Sequence, residues 1–389
     1  MKLTGTWIDA PATQAVCHAL TSAGFQALFV GGCVRNALMG VPVSDIDIAT
    51  DARPDTVAEL QSAAGFKVIP TGIDHGTLTV IASGVAHEIT TFRHDVETDG
   101  RRAVVAFSDN VRDDALRRDF TMNALYADAS GKLLDPLDGI ADLRARRVRF
   151  IDNPADRIRE DYLRILRFFR FHAWYGDPSN GLSSDGLAAI ADNLDGLEQL
   201  SRERVGSEMT KLLAAPDPAP AVAAMRSTGV LARILPGADD RALAPLVHLE
   251  TGTKTKPDSL RRLAVLGGSD TPERLRMSKK DAGKLAVLRS GIENSDSPTR
   301  LGYLNGATVA EDILLLRAAI FESPLDHAAI ATAHNAAKAQ FPINAADLMP
   351  ERSGPALGKR LKQLEAAWID SNFSLTKPEL LALPEEPDQ

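Results

Sequence analysis

Asp45 and Asp47 stand one residue apart, interleaved with Ile46 and Ile48. Side chains at i and i+2 of a strand share a face. A strand here sets the two carboxylates side by side and turns both isoleucines to the core. Adjacent carboxylates repel unless a cation sits between them. Hard oxygen donors suit a divalent ion, and Mg²⁺ usually takes one or two carboxylates plus substrate phosphates. Upstream, Gly31-Gly32 follows the apolar run Ala27-Leu28-Phe29-Val30. Glycines let backbone N–H groups approach an anion closely. Alone, an Asp-x-Asp is ordinarily a solvated turn or helix cap, and a Gly-Gly is a turn. Together, in a strand–turn–helix–strand context, they describe a phosphate cradle beside a metal-binding pair, the arrangement for nucleotidyl transfer.

Three further segments add candidates. In HEITTFR, a strand places Glu88 on one face with Thr90 and Phe92. Glu88 is thereby a candidate third acidic group facing Asp45 and Asp47; the ordinary alternative is a solvated edge-strand glutamate. In RRDFTMNA, Arg117 and Arg118 suit a triphosphate, because arginine grips phosphate oxygens bidentately. Asp119 and Asn123 in the same segment suit ribose hydroxyls. The segment DNPADRIREDYLRILRFFRFHAW reads as one helix, with Asn153 as N-cap, Pro154 at the first helical position and Asp156 in the first turn.

On that helix Asp161 and Arg164 are i,i+3 neighbours on one face. Such a pair is ordinarily an intrahelical ion pair. The alternative is chemical. Cytosine and adenine present an amine donor beside a ring-nitrogen acceptor, whereas uracil and guanine present the reverse. A carboxylate beside a guanidinium matches the first two and opposes the others. One rigid Asp/Arg pair can thus select CTP and ATP without a template.

Bulk properties narrow the class. The 389 residues are 44% hydrophobic and 25% charged, ordinary for a globular protein. No apolar stretch approaches the roughly 18 residues of a membrane span, and the first residues lack a signal-peptide pattern. Two cysteines imply no disulfide framework, and the eight histidines show no zinc spacing. These features point to a cytoplasmic protein with no membrane role. The net charge of −8 argues against indiscriminate nucleic-acid binding, but local basic groups still steer a polyanion. They occur at Arg144, Arg146, Arg147 and Arg149; along Arg157–Arg170; around Arg274–Lys284; and at Lys359, Arg360 and Lys362. Spaced along a helical region, they are consistent with an extended phosphate track.

The pattern changes along the chain. A helix is expected over 10–24. Short strands are expected at 77–81, 88–92, 104–107 and 132–134, with a flexible polar loop over 94–103. From about 140 onward the periodic segments are helical and rich in Ala and Leu.

GGCVRNALMG…SDIDIAT, TGIDHGT, EITTFR, RRDFTMNA, LLDPLDGIADL and EDYLRILRFFRF, in this order and spacing, closely resemble the class II tRNA nucleotidyltransferase (CCA-adding enzyme) and bacterial poly(A) polymerase family. The match is dense from about 27 to 175 and diffuse beyond. The resemblance implies an α+β fold: a DNA-polymerase-beta-like head over 1–140, a helical neck over 141–215, and a helical body and tail over 216–389 that holds the acceptor and T arms of tRNA. It implies Asp45 and Asp47 as ligands of a two-metal Mg²⁺ site, and Gly31, Gly32 and Arg35 at the triphosphate. Asp119 falls at the ribose. Glu160, Asp161 and Arg164 fall in the nucleotide-reading pocket; Arg118, Asn123 and Arg167 complete the nucleotide-binding set. Asn36 departs from the Asp that most relatives carry and is left out of the metal site.

The expected activity is template-independent addition of C, C and A to tRNA 3′ ends from CTP and ATP, with release of pyrophosphate. A poly(A) polymerase is the nearest rival; TGIDHGTLTV looks like CCA-adding members, and no basic-aromatic GRRF-type stretch is present. Enzymes adding only CC or only A are further rivals, and the loop over 94–103 argues against the first. A catalytically silent RNA-binding protein is disfavoured by the intact Asp45 and Asp47. His94-Asp95 stands alone, so no HD-type phosphohydrolase pattern emerges. No protein partner is inferable.

Overall fold

Strand β1 (Leu28–Val30) is apolar and buried at all three positions, which places it in the middle of a sheet. It follows helix α1 (Pro11–Thr21) and runs into Gly31, whose φ of +70° favours glycine. From there the chain enters α2 (Gly32–Leu38) and returns through β2 (Ile46–Thr50), α3 (Pro54–Ala63), β3 (Lys67–Gly72), β4 (Thr77–Ala82) and β5 (Val85–Thr91). Next come β6 (Arg93–Thr98), β7 (Ala103–Phe107), α4 (Val111–Leu116), β8 (Tyr126–Asp128), β9 (Leu133–Leu134) and α5 (Gly139–Arg144). The computed structural model describes residues 2–98, 103–349 and 353–384.

Seven strands form one sheet in the order β3-β4-β5-β2-β1-β8-β9. β2 and β5 run parallel, and the other neighbours run antiparallel. Ile46 and Ile48 are buried, as the alternation requires. Helices α1 and α3 cover the face bearing Ile48 and Phe29, contributing Val16, Leu20 and Val57. On the other face Leu28, Val30, Ala49, Phe92, Ala115, Tyr126 and Ile151 pack together. Part of the expected loop over 94–103 is not a loop. β6 and β7 pair antiparallel as a two-stranded ribbon, since backbone pairing satisfies a polar segment as well as an apolar one. The rest of that call, residues 99–102, lies outside the described residues.

A helical region follows within the same unit: α6 (Pro154–Glu160), α7 (Leu163–Tyr175), α8 (Ser184–Ala191), α9 (Arg202–Leu213), α10 (Ala219–Ser227) and α11 (Val230–Ile234). An aromatic cluster joins it to the sheet. The Phe120 ring lies 5.1 Å from Phe150 and 5.0 Å from Phe171, and Phe150 stacks on Phe168 at 5.3 Å. Phe120 is the residue after Asp119, so this cluster fixes Asp119 against α7.

The expected single helix over 153–174 is broken. Asn153 caps α6 through Ala155 and Asp156, as expected, but Asp161 is extended, at φ −155° and ψ 104°. The chain restarts with the Leu163 N–H donating to Asp161 Oδ1 at 3.1 Å. The physical cause is tertiary. The Tyr162 ring packs against Gly196, where an added Cβ would come within 1.9 Å of it. Packing the ring there pulls the chain out of helical register, and Asp161 caps the new start.

The chain divides into two compact units, Met1–Pro236 and Gly237–Gln389. The second is helical: α12 (Leu243–Thr253), α13 (Ser259–Leu266), α14 (Thr271–Arg274), α15 (Lys279–Glu293), α16 (Pro298–Asn305), α17 (Ala307–Ile320), α18 (His327–Ala336), α19 (Gly354–Asp370) and α20 (Lys377–Leu381). Its interior carries charge: Arg261 bonds Asp312 at 2.6 Å and Glu250 at 2.7 Å, and Arg262 bonds Glu250 at 2.7 Å. Among the described residues no helix is long and apolar enough to cross a membrane.

Candidate active site

The register of β2 on β5 pairs Asp47 with Glu88. Neighbouring residues of two parallel strands point to the same side, so both carboxylates project from one face. Asp45 lies just before β2 and is exposed, with Ser44 Oγ donating to Oδ2 at 3.1 Å. The Asp47 carboxyl is pushed up to about 6, first by burial and then by the Glu88 carboxylate. Negative charge here is under-compensated, which fits a cation-binding edge made of hard oxygen donors. Among the described residues no three His, Cys, Asp or Glu side chains are grouped as a ready metal cage. Mg²⁺ shared with substrate phosphates does not require one.

Gly31 and α2 border this edge. Arg118 Nη1 lies 3.4 Å from where a Cβ on Gly31 would stand, so the glycine turn and this guanidinium adjoin. Arg118 is not free to swing. Its Nη2 donates to Asp114 Oδ2 at 2.8 Å, and its Nε donates to Tyr126 Oη at 3.0 Å. Tyr126 Oη in turn donates to Asp114 Oδ2 at 2.7 Å.

Arg35 is buried among neutral partners. Nη1 donates to Asn123 Oδ1 at 2.5 Å, Nη2 donates to Asn36 Oδ1 and to Tyr175 Oη at 2.9 Å each, and the guanidinium carbon lies 4.0 Å from the Tyr175 ring centre. Burial lowers its pKa. A buried guanidinium without an ion-paired carboxylate, among the described residues, is suited to an anionic ligand.

Asp119 links this arginine to α7. Its Oδ1 accepts from Asn123 Nδ2 at 2.8 Å, and its Oδ2 accepts from Arg167 Nε at 2.7 Å. Burial opposes the charge, but the Arg167 guanidinium and the Asn123 amide hold the carboxyl below its ordinary range. Arg167, Asp119, Asn123 and Arg35 thus form one continuous hydrogen-bonded chain.

The expected pairing of Asp161 with Arg164 does not occur. Arg164 lies beyond the break and turns back. It donates to Glu160 Oε2 at 2.6 Å, to Arg157 O at 3.0 Å and to Arg117 O at 2.8 Å. Arg157 donates to Leu116 O at 2.7 Å and also bonds Glu160. Both arginines therefore meet carbonyls at the C-terminal end of α4, where a helix favours cations. Asp161 instead accepts from Arg204 Nη2 of α9 at 2.7 Å. A cavity of about 530 Å³, within the roughly 300–1,000 Å³ of small-molecule sites, is lined by His94, Leu116, Arg117, Arg157 and Glu160 among others.

Residues 27–149 match the family model described as the poly A polymerase head domain, and residues 182–241 match the probable RNA and SrmB-binding site of polymerase A. A mouse protein named CCA tRNA nucleotidyltransferase 1, mitochondrial, is 32% identical over 90% of this chain and 85% of its own length. A CCA-adding enzyme of Lacticaseibacillus paracasei is 30% identical over 100% of this chain and 99% of its own length. The chain belongs to the CCA-adding tRNA nucleotidyltransferase family. The Bacillus stearothermophilus CCA-adding enzyme in complex with CTP shares the fold, with a TM-score of 0.71, 26% identity and 95% of each chain covered. The α+β architecture expected for the family is the one observed.

Measured against that family pattern, four supporting residues escape sequence reading. Asp114 and Tyr126 hold Arg118, Tyr175 stacks on Arg35, and Arg204 holds Asp161. Asp114 was discoverable, because it is the one of the two acids in VRDDALRR that lies i,i+4 from Arg118. Tyr175 and Arg204 carry no local signal, since only the packing of α7 and α9 brings them in.

Proposed function

We propose that this protein adds C, C and A to the 3′ ends of tRNA, taking CTP and ATP as substrates and releasing pyrophosphate. The observation that carries the reading is the Asp45–Asp47 edge beside a glycine turn flanked by Arg118 and Arg35. The family membership and the CTP complex of the B. stearothermophilus relative support the choice of substrates.

In this reading Asp45 and Asp47 hold Mg²⁺, with Glu88 as a third candidate ligand. The ion, when bound, polarises the α-phosphate and stabilises charge on the attacking and leaving oxygens. Gly31, Gly32, Arg35 and Arg118 receive the triphosphate. Asp119 and Asn123 lie toward the ribose, with Arg167 holding Asp119. Glu160, Asp161 and Arg164 read the base, exchanging their present partners for its Watson–Crick edge. The RNA 3′ hydroxyl attacks the α-phosphorus, its proton leaves to solvent or a site carboxylate, and the bond to pyrophosphate breaks.

Functionally the chain is a catalytic head over 1–140, a reading neck over 141–215, and a tRNA-holding body and tail over 216–389. Both cysteines are buried and unpaired, in keeping with a reducing compartment, and we assign the enzyme to the cytoplasm.

The test incubates the protein with Mg²⁺ and a tRNA ending at its discriminator base, supplies each NTP alone and in mixtures, and sequences the products. Growth by C, C and A followed by a stop is expected. Long A tracts on a generic RNA would identify a poly(A) polymerase instead, and a product arrested after CC would identify a partial enzyme.

A further inference from the structure

A second cavity, of about 350 Å³, opens beside α2. Its lining is apolar from Leu38, Met39, Val41, Ile140 and Leu143, with Arg144, Arg146 and Trp174 completing it. Trp174 and Val41 are 39% and 40% exposed, unusual for large apolar side chains lining one recess. The indole is anchored, since Nε1 donates to Lys211 O at 2.8 Å, and its ring remains open to solvent.

The charge around it is selective. Of four clustered arginines, Arg147 and Arg149 are both bound to Asp142, at 2.8 Å. Arg144 and Arg146 are exposed and form no ion pair among the described residues; Asp177 lies near Arg146 without pairing to it. Arg146 is instead fixed by Nε donating to Tyr175 O at 3.3 Å. An aromatic face flanked by two guanidinium groups that pair with no carboxylate among the described residues matches a base and its adjoining phosphates.

The position is equally specific. Val41 stands on the segment that leads from α2 to Asp45. The residue after Trp174 is Tyr175, which contacts Arg35. The recess therefore lies at the C-terminal ends of α2 and α7, with Val41 leading toward Asp45 and Trp174 beside the Arg35 partner Tyr175.

We propose that this cavity holds the unpaired 3′ end of the RNA acceptor, one base stacked on Trp174 and its phosphates against Arg144 and Arg146. The proposal rests on the function proposed above and assigns a site for the acceptor strand, distinct from the nucleotide-reading residues.

The test uses the full chain, a tRNA ending at its discriminator base and a short single-stranded RNA with the same end. RNA quenches tryptophan emission of the wild type, and Trp174→Phe removes most of the quench while keeping affinity within about threefold, because a phenyl ring still stacks. Trp174→Ala raises KM for tRNA roughly 10- to 100-fold and leaves KM for CTP within about twofold. The double variant Arg144→Ala/Arg146→Ala lowers the slope of log Kd against log salt by about one to two.

An unchanged KM for tRNA in Trp174→Ala overturns the proposal. So does a quench that persists in Trp174→Phe, that CTP alone produces, or that follows protein concentration and so marks a second copy as the occupant. Should Trp174→Ala not fold, the Trp174→Phe quench and the salt slope decide. A wild type that adds C, C and A beside an unaffected Trp174→Ala removes this site and leaves the proposed function standing. A wild type that adds no nucleotide removes both.

Discussion

Arg204 Nη2 donates to Asp161 Oδ2 at 2.7 Å, from α9 to the break between α6 and α7. Their side chains are 45% and 32% exposed, and ion pairs of that kind contribute about 0–1 kcal/mol. Asp161 can therefore exchange Arg204 for a substrate amine at little cost. Arg164 is held more firmly, by Glu160 and two carbonyls. The two proposed base-reading residues start from unequal commitments, and their variants differ accordingly.

Asp161→Ala and Arg164→Ala each lower discrimination against UTP and GTP by roughly one to two decades, from about 1–3 kcal/mol per charged hydrogen bond. Arg164→Ala also lowers stability, because Glu160, Arg117 O and Arg157 O lose their donor; Asp161→Ala lowers it by about 0.5–2 kcal/mol, because the Leu163 N–H loses its cap. Steady-state incorporation of all four NTPs, with denaturant unfolding of each variant, checks this. Unaltered selectivity in both would sink the base-reading assignment while leaving the family membership intact.

Asp45→Ala and Asp47→Ala each reduce nucleotide addition by roughly three or more decades, several kcal/mol of transition-state stabilisation. Asp47→Asn is equally inactive but unfolds no earlier than the wild type in the absence of metal, since it removes a charge that burial and Glu88 both oppose. Substantial addition by any of the three in Mg²⁺ rules out the site.

Gly196→Ala displaces Tyr162, because the new Cβ would lie within 1.9 Å of its ring. The expected loss is about 1–3 kcal/mol, as for other overpacked sites. Tyr162 follows Asp161 and defines the helix break, so the variant also shifts NTP selectivity more than tRNA affinity. Equal effects on the two would detach the break from base reading.

Arg167→Ala leaves Asp119 buried without its strongest partner. Breaking a fully buried pair costs about 3–5 kcal/mol; Arg167 is 31% exposed, so about 1–3 kcal/mol is expected at pH 7. The folded pKa of Asp119 is depressed. Its stabilising contribution is therefore complete above the ordinary carboxylate range near about pH 4, and is lost as pH falls through that range toward the folded value. The gap between wild type and Arg167→Ala accordingly narrows below about pH 4. Unfolding midpoints at pH 7 and in the acid range measure it; a pH-independent gap contradicts the pairing as the cause.

Much of this protein is determined within short stretches of its sequence. The alternation of Asp45, Ile46, Asp47 and Ile48 sets the face of each side chain, because strand geometry has a period of two. Gly31 announces its turn, because few other residues adopt its backbone angles. The tertiary structure decided what depends on partners distant in the chain. Strand β3 is an edge strand with Pro70 in it and lacks an apolar alternation, so only pairing with β4 makes it a strand. Asp161 and Arg164 looked like neighbours because helical spacing is local. They are separated where Tyr162 packs on Gly196, a contact distant in the chain and invisible to any window that ends before Gly196.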